Sequence, residues 1–496
     1  MRDEIVLTAD NTLMSDYHHS EFLGFGACAP SNVIPDILYE ELFFPAIRTI
    51  KGKPFAAPYG LRKIESQLVK EGLNVTIVAP NHLGSYLKRA RVLGIHVMDP
   101  FGLGPASSTF AAVMKKEPFL ARHFRKLLSS GQIQKAKKAG LKVVVGGPGT
   151  WQMHSRPNFV KKYGIDCIIE GEAEKIVGKL FRVALNGEDL PPYYQTSIEE
   201  IPTVEEIPEI VGPSINGLVE IGRGCCRGCS FCSVTSRPLR WFPVEKILKE
   251  VEVNLKAGID TVTLHQDDVM LYGSRNTLPN DEKLIRLNEA VAKRCDNISW
   301  SHSSIAAVAA KPKLFVQISE IIRQKQSWWG AEIGLETGSP ELARKMMPAK
   351  AHPFKPDAWP EVVRSGMALM HDNMLVPACT LIVGAPEETE SDIIKTIELV
   401  DDLKGIRSLI VPLFFVPMGR FKDENWFQDA QMTRLHYELL TKCVQHDFYW
   451  LGNLLQMRSS EGWQARVLSP LYKLFIGITK LKMKQSGMDV DLERRA

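Results

Sequence analysis

The sequence predicts an α/β protein: an N-terminal doubly wound, Rossmann-like parallel sheet, then a partial (β/α)6 barrel, then a C-terminal α-helical region. Three observations predict it. Short apolar runs alternate with helical patterns through the first two hundred residues, a second alternating series starts at Gly217, and after Arg420 the pattern is helical up to Lys484. The expected domains are therefore residues 1–190, a linker at 191–214, the barrel at 215–420 and helices at 421–496.

In the first region the strand candidates are EIVLTA near residue 4, NVTIVAP at 74, GIHVMD at 94, LKVVVGG at 141 and DCIIEGE at 166. Helices fit between them. Leu61, Ile64, Leu68 and Val69 share one face of a segment running from Leu61 to Glu71, and Ile133 to Ala139 precedes the strand LKVVVGG. The turns at Pro80, Pro100 and Gly146 then fall along the carboxyl edge of the sheet, where ligands bind in such folds. Phe101 to Ser130 breaks the rhythm and reads as an insertion over that edge, and the Pro- and Glu-rich stretch from Asn186 to Ser214 reads as a linker.

The second series offers the strands LVEIGRG, DTVTLHQ, ISWSHSS, AEIGLET, PACTLIVG and LIVPLFFV, with helical segments such as Pro243 to Lys256 between them. Six such units make a partial barrel, and functional groups collect at the C-terminal ends of its strands.

Composition narrows the class. With 496 residues and 45% apolar content the chain has enough material for real cores. A surplus of +4, from 61 basic and 57 acidic residues, predicts no nucleic-acid partner. The opening MRDEIVLTAD lacks the basic, apolar and small-residue succession of a secretory signal, so a cytoplasmic location is expected. Nine cysteines, four of them between Cys225 and Cys232, suit a metal or cluster site better than a disulfide framework.

Cys225, Cys229 and Cys232 follow the strand LVEIGRG in a loop containing Gly222, Gly224 and Gly228. Three thiolates would leave one iron of a [4Fe–4S] cluster without a protein ligand, whereas electron-transfer clusters take four cysteines. Zinc is the rival, and a structural zinc site wants a fourth Cys or His at a second paired spacing; His265 and Cys295 show no such pairing.

IGRGCCRGCSFC at the end of the first barrel strand resembles the radical S-adenosylmethionine superfamily, over residues 215 to 420. The resemblance implies that S-adenosylmethionine chelates the open iron and is cleaved to a 5′-deoxyadenosyl radical, with electrons from a low-potential donor such as flavodoxin or ferredoxin. It also implies positions for the cosubstrate. Phe231 resembles the aromatic residue near the adenine. Asp267, and second to it Asp268, stand where the family's Gly-Gly-Glu-like turn holds the methionyl ammonium, although the glycines are missing; a helix N-cap is the plain alternative. Ser301 and Ser303 are placed to serve methionyl or ribose oxygens, and Glu336 resembles the ribose-binding carboxylate. Ile382, Gly384 and Glu387 resemble the adenine-supporting pattern, with Thr380 in place of its first glycine.

A doubly wound sheet ahead of such a barrel resembles the cobalamin-binding class. VVVGGPGTW, with Gly146, Gly147 and Pro148, is similar to the turn against the nucleotide tail. DPFGLGPASS, with Gly102, Gly104 and Ser107, resembles a corrin-proximal loop, and IDCIIEGEAE, with Gly171 and Glu172, resembles the turn closing the sheet. The loop Thr8 to His19, including Asn11, Leu13 and Met14, would lie under the lower face of the corrin. Glu21 stands where an Asp-x-His-x-x-Gly motif starting at Asp16 would need its glycine, so cobalamin is expected without a protein histidine on cobalt.

Together these imply C–C bond formation at an unactivated carbon, most simply methyl transfer from methylcobalamin to a substrate radical. The substrate, whether small molecule, lipid or protein, is not named by any motif. Cyclisation or cross-linking of archaeal-type membrane lipids is the enzymatic alternative, suggested by the apolar and basic stretch Arg466 to Lys484, which is compatible with peripheral membrane contact. An iron–sulfur redox sensor is the non-enzymatic one.

Overall fold

The computed structural model describes residues 4–154, 156–234, 237–459 and 463–485. Cα packing divides the chain into two units, residues 1–30, 39–219 and 248–259 in the first, and 31–38, 220–247 and 260–496 in the second.

The first unit is built on one parallel sheet. Its strands are β1 (Ile5–Ala9), β2 (Val75–Ile77), β3 (Val92–His96), β4 (Lys142–Gly146), β5 (Cys167–Glu170) and β6 (Tyr193–Gln195), in the order β2-β1-β3-β4-β5-β6. Leu7 stands opposite Gly94 and Gly94 opposite Val144, so the central strands run in register. Each central strand is a near-continuous apolar run because helices cover both faces; Ile5, Val6, Leu93, Val143 and Val145 are wholly buried. The helix anticipated at Leu61 is α1 (Tyr59–Lys70), which buries Leu61 and Leu68 but leaves Val69, expected on the same face, exposed; the one at Ile133 is α3 (Gly131–Lys138). The strand order reverses between β1 and β3, which makes the ends of those strands, at Ala9 and His96, the switch-point crevice of the sheet.

Two expected surface segments are integral parts of this unit. Within the insertion, α2 (Phe119–Leu128) buries Phe119 and Phe124, and Phe119 stacks on Tyr39 with ring centroids 5.0 Å apart. The stretch read as a linker is tied down by its backbone. Pro213 accepts from Arg62 Nε at 2.9 Å, Pro208 from Lys63 Nζ at 2.7 Å, and the Val211 N–H donates to Ser66 Oγ at 3.1 Å. Ile207 and Ile210 are buried, so the missing periodicity reflects a packed irregular strap, not a tether.

The second unit carries the partial barrel. After β7 (Leu218–Glu220) come β8 (Thr261–His265), β9 (Asn297–Trp300), β10 (His302–Ser303), β11 (Trp329–Glu336), β12 (Leu375–Val383) and β13 (Leu409–Phe414). They form a sheet ordered β7-β8-β9 and another ordered β10-β11-β12-β13, and Ser301 separates the two pieces of the third barrel strand. Burial alternates along β12 and along β11 as far as Leu335. Ala331, Ile333, Cys379 and Leu381 are buried, whereas Glu332, Gly334, Ala378, Thr380 and Ile382 are only half-buried and face the lumen. The helix expected from Pro243 to Lys256 is α4 (Val244–Lys256), and helices α6 (Arg434–Ser459) and α7 (Trp463–Gln485) follow the barrel. Among the described residues no helix is long and apolar enough to cross a membrane.

Candidate active site

The three-cysteine loop is fastened from several directions at the C-terminal mouth of the barrel. A short antiparallel hairpin, Gly222–Arg223 against Arg240–Trp241, introduces it. The Ser230 N–H donates to the Met346 carbonyl at 2.8 Å, at the end of α5 (Pro340–Met346), and the Cys232 N–H closes a turn on Cys229 at 3.2 Å. On another side lies Gly419, with φ +60°. A Cβ there would stand 2.7 Å from the Cys232 carbonyl and 2.8 Å from that of Ser230, so only glycine lets the chain pass so close.

Arg227, inside the cysteine loop, is the main strut. Although charged, it is buried, and its guanidinium donates to Asp268 Oδ2 at 2.8 Å, to Ser304 Oγ at 2.6 Å and to the carbonyls of Ala349, Lys350 and His352 at 3.3, 2.9 and 3.2 Å. A planar fork with five donors suits such a junction better than an ammonium. Burial pushes the Cys225 thiol up to about 12 and the Cys229 thiol to about 11, so metal binding must displace protons from both. The donor set fits an iron–sulfur cluster: three sulfurs on one glycine-shaped loop, with the cationic Lys350 side chain close enough to oppose the rise at Cys229.

The sequence-derived cosubstrate positions divide into committed and available groups. Asp268 is committed, since it accepts from Arg227 and, at 3.0 Å, from the Ser304 N–H. Asp267, next to it, is exposed. Ser301 accepts from the Gln266 N–H and donates to the Gln266 carbonyl, both at 3.1 Å, and so braces the turn that carries Asp267. Ser303 is buried, and its hydroxyl has no hydrogen-bond partner among the described residues.

Glu336 ends β11 in a left-handed conformation, φ +64°, and forms a buried ion pair with Lys350, while Thr380 Oγ1 donates to it at 3.4 Å. The Lys350 ammonium lies 5.9 Å from the centroid of the Phe231 ring. Burial pulls the ammonium down, but the Glu336 carboxylate and the Cys229 sulfur outweigh it and hold the group charged. Ile382 faces the lumen, and Gly384 lies under the Phe427 ring. The carboxylate that takes the Gly384 N–H, at 2.8 Å, belongs to Glu388; Glu387, expected for that part of the pattern, points outward and pairs with Lys345 at 3.2 Å. Sequence reasoning passed over Arg227, Lys350 and Glu388, because a lone charged residue in a loop has no periodicity or spacing to mark it.

At the switch-point edge of the first unit, Thr8 donates to the Val78 carbonyl at 2.8 Å and Asn11 to Asn81 at 3.3 Å. Leu13 and Met14 are buried. Asp99 organises the loop after β3, accepting from the Leu103 and Gly104 N–H groups at 2.8 and 3.1 Å and from Gln152 at 2.6 Å. Gly102 packs against Pro118, and Ser107 is buried with a hydroxyl that has no hydrogen-bond partner among the described residues. Gly146 has open space where a Cβ would be, with only the Ile169 carbonyl at 3.8 Å, so a ligand can approach the backbone there. Gly147, φ +118°, is instead required by the chain itself, because a Cβ would overlap the Val97 carbonyl. Pro148 is exposed, Gly171 rests on Thr196, and Glu172 is half-buried. His18 Nε2 lies 2.9 Å from the Glu41 carbonyl, so that ring is engaged locally.

Such a loop at the mouth of a six-unit partial barrel defines a class, and comparison with known proteins agrees: residues 219–400 match the Radical SAM superfamily, so the second unit carries a radical SAM domain. The particular resemblances extend further. The structure of the radical S-adenosylmethionine methyltransferase TsrM from Kitasatospora setae, with cobalamin and a [4Fe–4S] cluster bound, superposes with a TM-score of 0.55 at 15% identity, covering 84% of this chain and 76% of that one, which establishes a shared fold. Among sequence relatives, the Uncharacterized protein MK0932 of Methanopyrus kandleri is 26% identical over 305 residues, 49% of this chain and 54% of its own. The tRNA-2-methylthio-N(6)-dimethylallyladenosine synthase of Desulfosudis oleivorans is 25% identical over 286 residues, 55% of this chain and 57% of its own. The chain thus spans about half the length of the curated relatives it matches.

Proposed function

We propose that this chain is a cobalamin-dependent radical S-adenosylmethionine methyltransferase that forms a C–C bond at an unactivated carbon. The observation that carries the reading is the three-cysteine loop, clamped by Arg227, Met346 and Gly419 at the barrel mouth, in a chain that also bears a parallel sheet with a switch point. Cys225, Cys229 and Cys232 would hold a [4Fe–4S] cluster, which supplies the electron that cleaves S-adenosylmethionine to a deoxyadenosyl radical. A low-potential donor such as flavodoxin or ferredoxin would reduce it. Asp267, exposed on a turn braced by Ser301, takes the methionyl ammonium, and Glu336 takes the ribose hydroxyls once Lys350 yields it. Phe231 and Ile382 flank the adenine. In the first unit Gly146 would leave room for cobalamin, which would supply the methyl group, and Ser107 would offer it a hydroxyl that has no partner among the described residues.

The test is anaerobic incubation of reconstituted chain with methyl-labelled S-adenosylmethionine and a reductant. Deoxyadenosine release and corrin absorbance in protein from a cobalamin-fed host are expected, with label passing to an added substrate. Deoxyadenosine without any transfer of label would sink the methyl-transfer reading. The likeness to methylthio-adenosine synthases favours a second reading, sulfur insertion, which a mass increment of sulfur in the product would reveal. Peripheral membrane contact belongs to the proposal through α7, where Val467, Leu471, Leu474 and Leu481 are exposed at helical spacing beside Lys473 and Lys482; co-sedimentation with anionic phosphatidylglycerol vesicles tests it.

A further inference from the structure

The barrel lumen contains a polar group of side chains for which the cluster and the cosubstrate have no use. The interior of a (β/α) barrel is ordinarily filled by branched apolar residues. Here β8 ends on His265, β10 begins on His302, and Glu332 stands opposite His302 in the register of β11. The two imidazole centroids are 6.1 Å apart at 65°. His302 Nε2 lies 3.1 Å from Glu332 Oε2, and both side chains remain reachable by water, 43% and 37% exposed, although they sit within the barrel. That exposure leaves His302 and Glu332 open to a ligand. The Nδ1 atoms of both rings are shut off from solvent and have no hydrogen-bond partner among the described residues. The other charged groups around the pair are Glu220, which is held by Arg223 at 2.9 to 3.1 Å, Asp267 and Lys350.

An ionised carboxylate only accepts, so Glu332 fixes His302 as the donor through Nε2. Burial pulls His302 down, but Glu332 more than restores it, whereas burial and the neighbouring ring push His265 down and keep it neutral. A neutral imidazole offers one donor and one acceptor. A plain hydrocarbon chain in this lumen would leave those nitrogens unpaired, which burial penalises.

We infer that His265 and His302, oriented by Glu332, form the recognition end of the substrate pocket and take a substrate group that both donates and accepts hydrogen bonds, of the amide or lactam class. This rests on the proposed radical chemistry only for the word substrate; the binding itself is independent of it.

Equilibrium dialysis of the reconstituted full chain against 2-indolinone, a lactam, and indane, its hydrocarbon counterpart, tests the inference. The lactam is expected to bind about tenfold tighter or better, the equivalent of one such pairing. His265→Leu and His302→Leu should each erase that preference, and His265→Gln, which keeps a donor and an acceptor, should restore it. Indane binding as well as the lactam, a preference that survives both leucine variants, or no lactam binding at millimolar concentration would each overturn the inference. Deoxyadenosine release by the unaltered chain is scored separately, so failure of the radical chemistry and failure of this site give different results.

Discussion

Lys350 and Glu336 show how much one pair decides at the scale of single residues. Both are nearly buried, and the lysine is flanked by the Phe231 ring and the Cys229 sulfur. Removing one partner of a buried ion pair leaves an uncompensated charge, which costs about 3–5 kcal/mol. Lys350→Met should therefore lower the urea midpoint markedly, while Lys350→Met combined with Glu336→Gln should recover most of the loss; a single variant as stable as the parent contradicts this. Gly419 acts through space alone. Gly419→Ala should push the Cys232 and Ser230 carbonyls away and lower the iron bound per chain after anaerobic assembly, measured by metal analysis, with the far-UV spectrum unchanged.

Between elements, the decisive contacts are buried polar junctions where apolar packing meets an irregular segment. Helix α6 docks on β13 through Ser408 Oγ, 2.9 Å from His446 Nε2, and through the Ile410 N–H, which donates to Asp447 at 2.7 Å. Burial holds His446 near 4, below its ordinary 6.5. The folded chain thus refuses a proton that the unfolded chain accepts between those values, so stability is full above pH 6.5 and falls as pH drops toward 4, by at most about 1.4 kcal/mol per pH unit. Asp447, pushed up by burial, contributes with the opposite sign, its share being lost as pH rises above its ordinary 3.8. His446→Gln isolates the histidine: its urea midpoint should fall less between pH 7 and pH 5 than that of the parent. In the first unit Lys63 pairs with Glu250 and also holds the Pro208 carbonyl, while Tyr59 donates to Glu250 at 2.6 Å. Lys63→Met should loosen the strap 207–213 as well as destabilise the unit, seen as faster amide hydrogen exchange at Ile210 and Val211.

Across the whole molecule, much of the architecture was legible before any coordinates. Strand and helix positions followed from apolar runs and period, because fully buried parallel strands must be apolar and the helices over them must be amphipathic; the expected Leu61 and Ile133 helices and all six barrel strand positions appear. The three cysteines were legible because their spacing is local. The segment at 191–214 was not, since its hold on the first unit comes from backbone carbonyls and N–H groups that leave no mark in side-chain periodicity. Nor was the fate of the acidic pair, where Asp268 is taken by Arg227 and Asp267 is left exposed. By itself the sequence determined which strands and helices form and which loop carries the thiols, as these depend on neighbours a few residues apart. Only the tertiary structure decided that Arg227, Lys350 and Gly419 shape that loop and that His265 meets His302 in the lumen, because those partners are far apart in sequence and come together through the closing of the barrel.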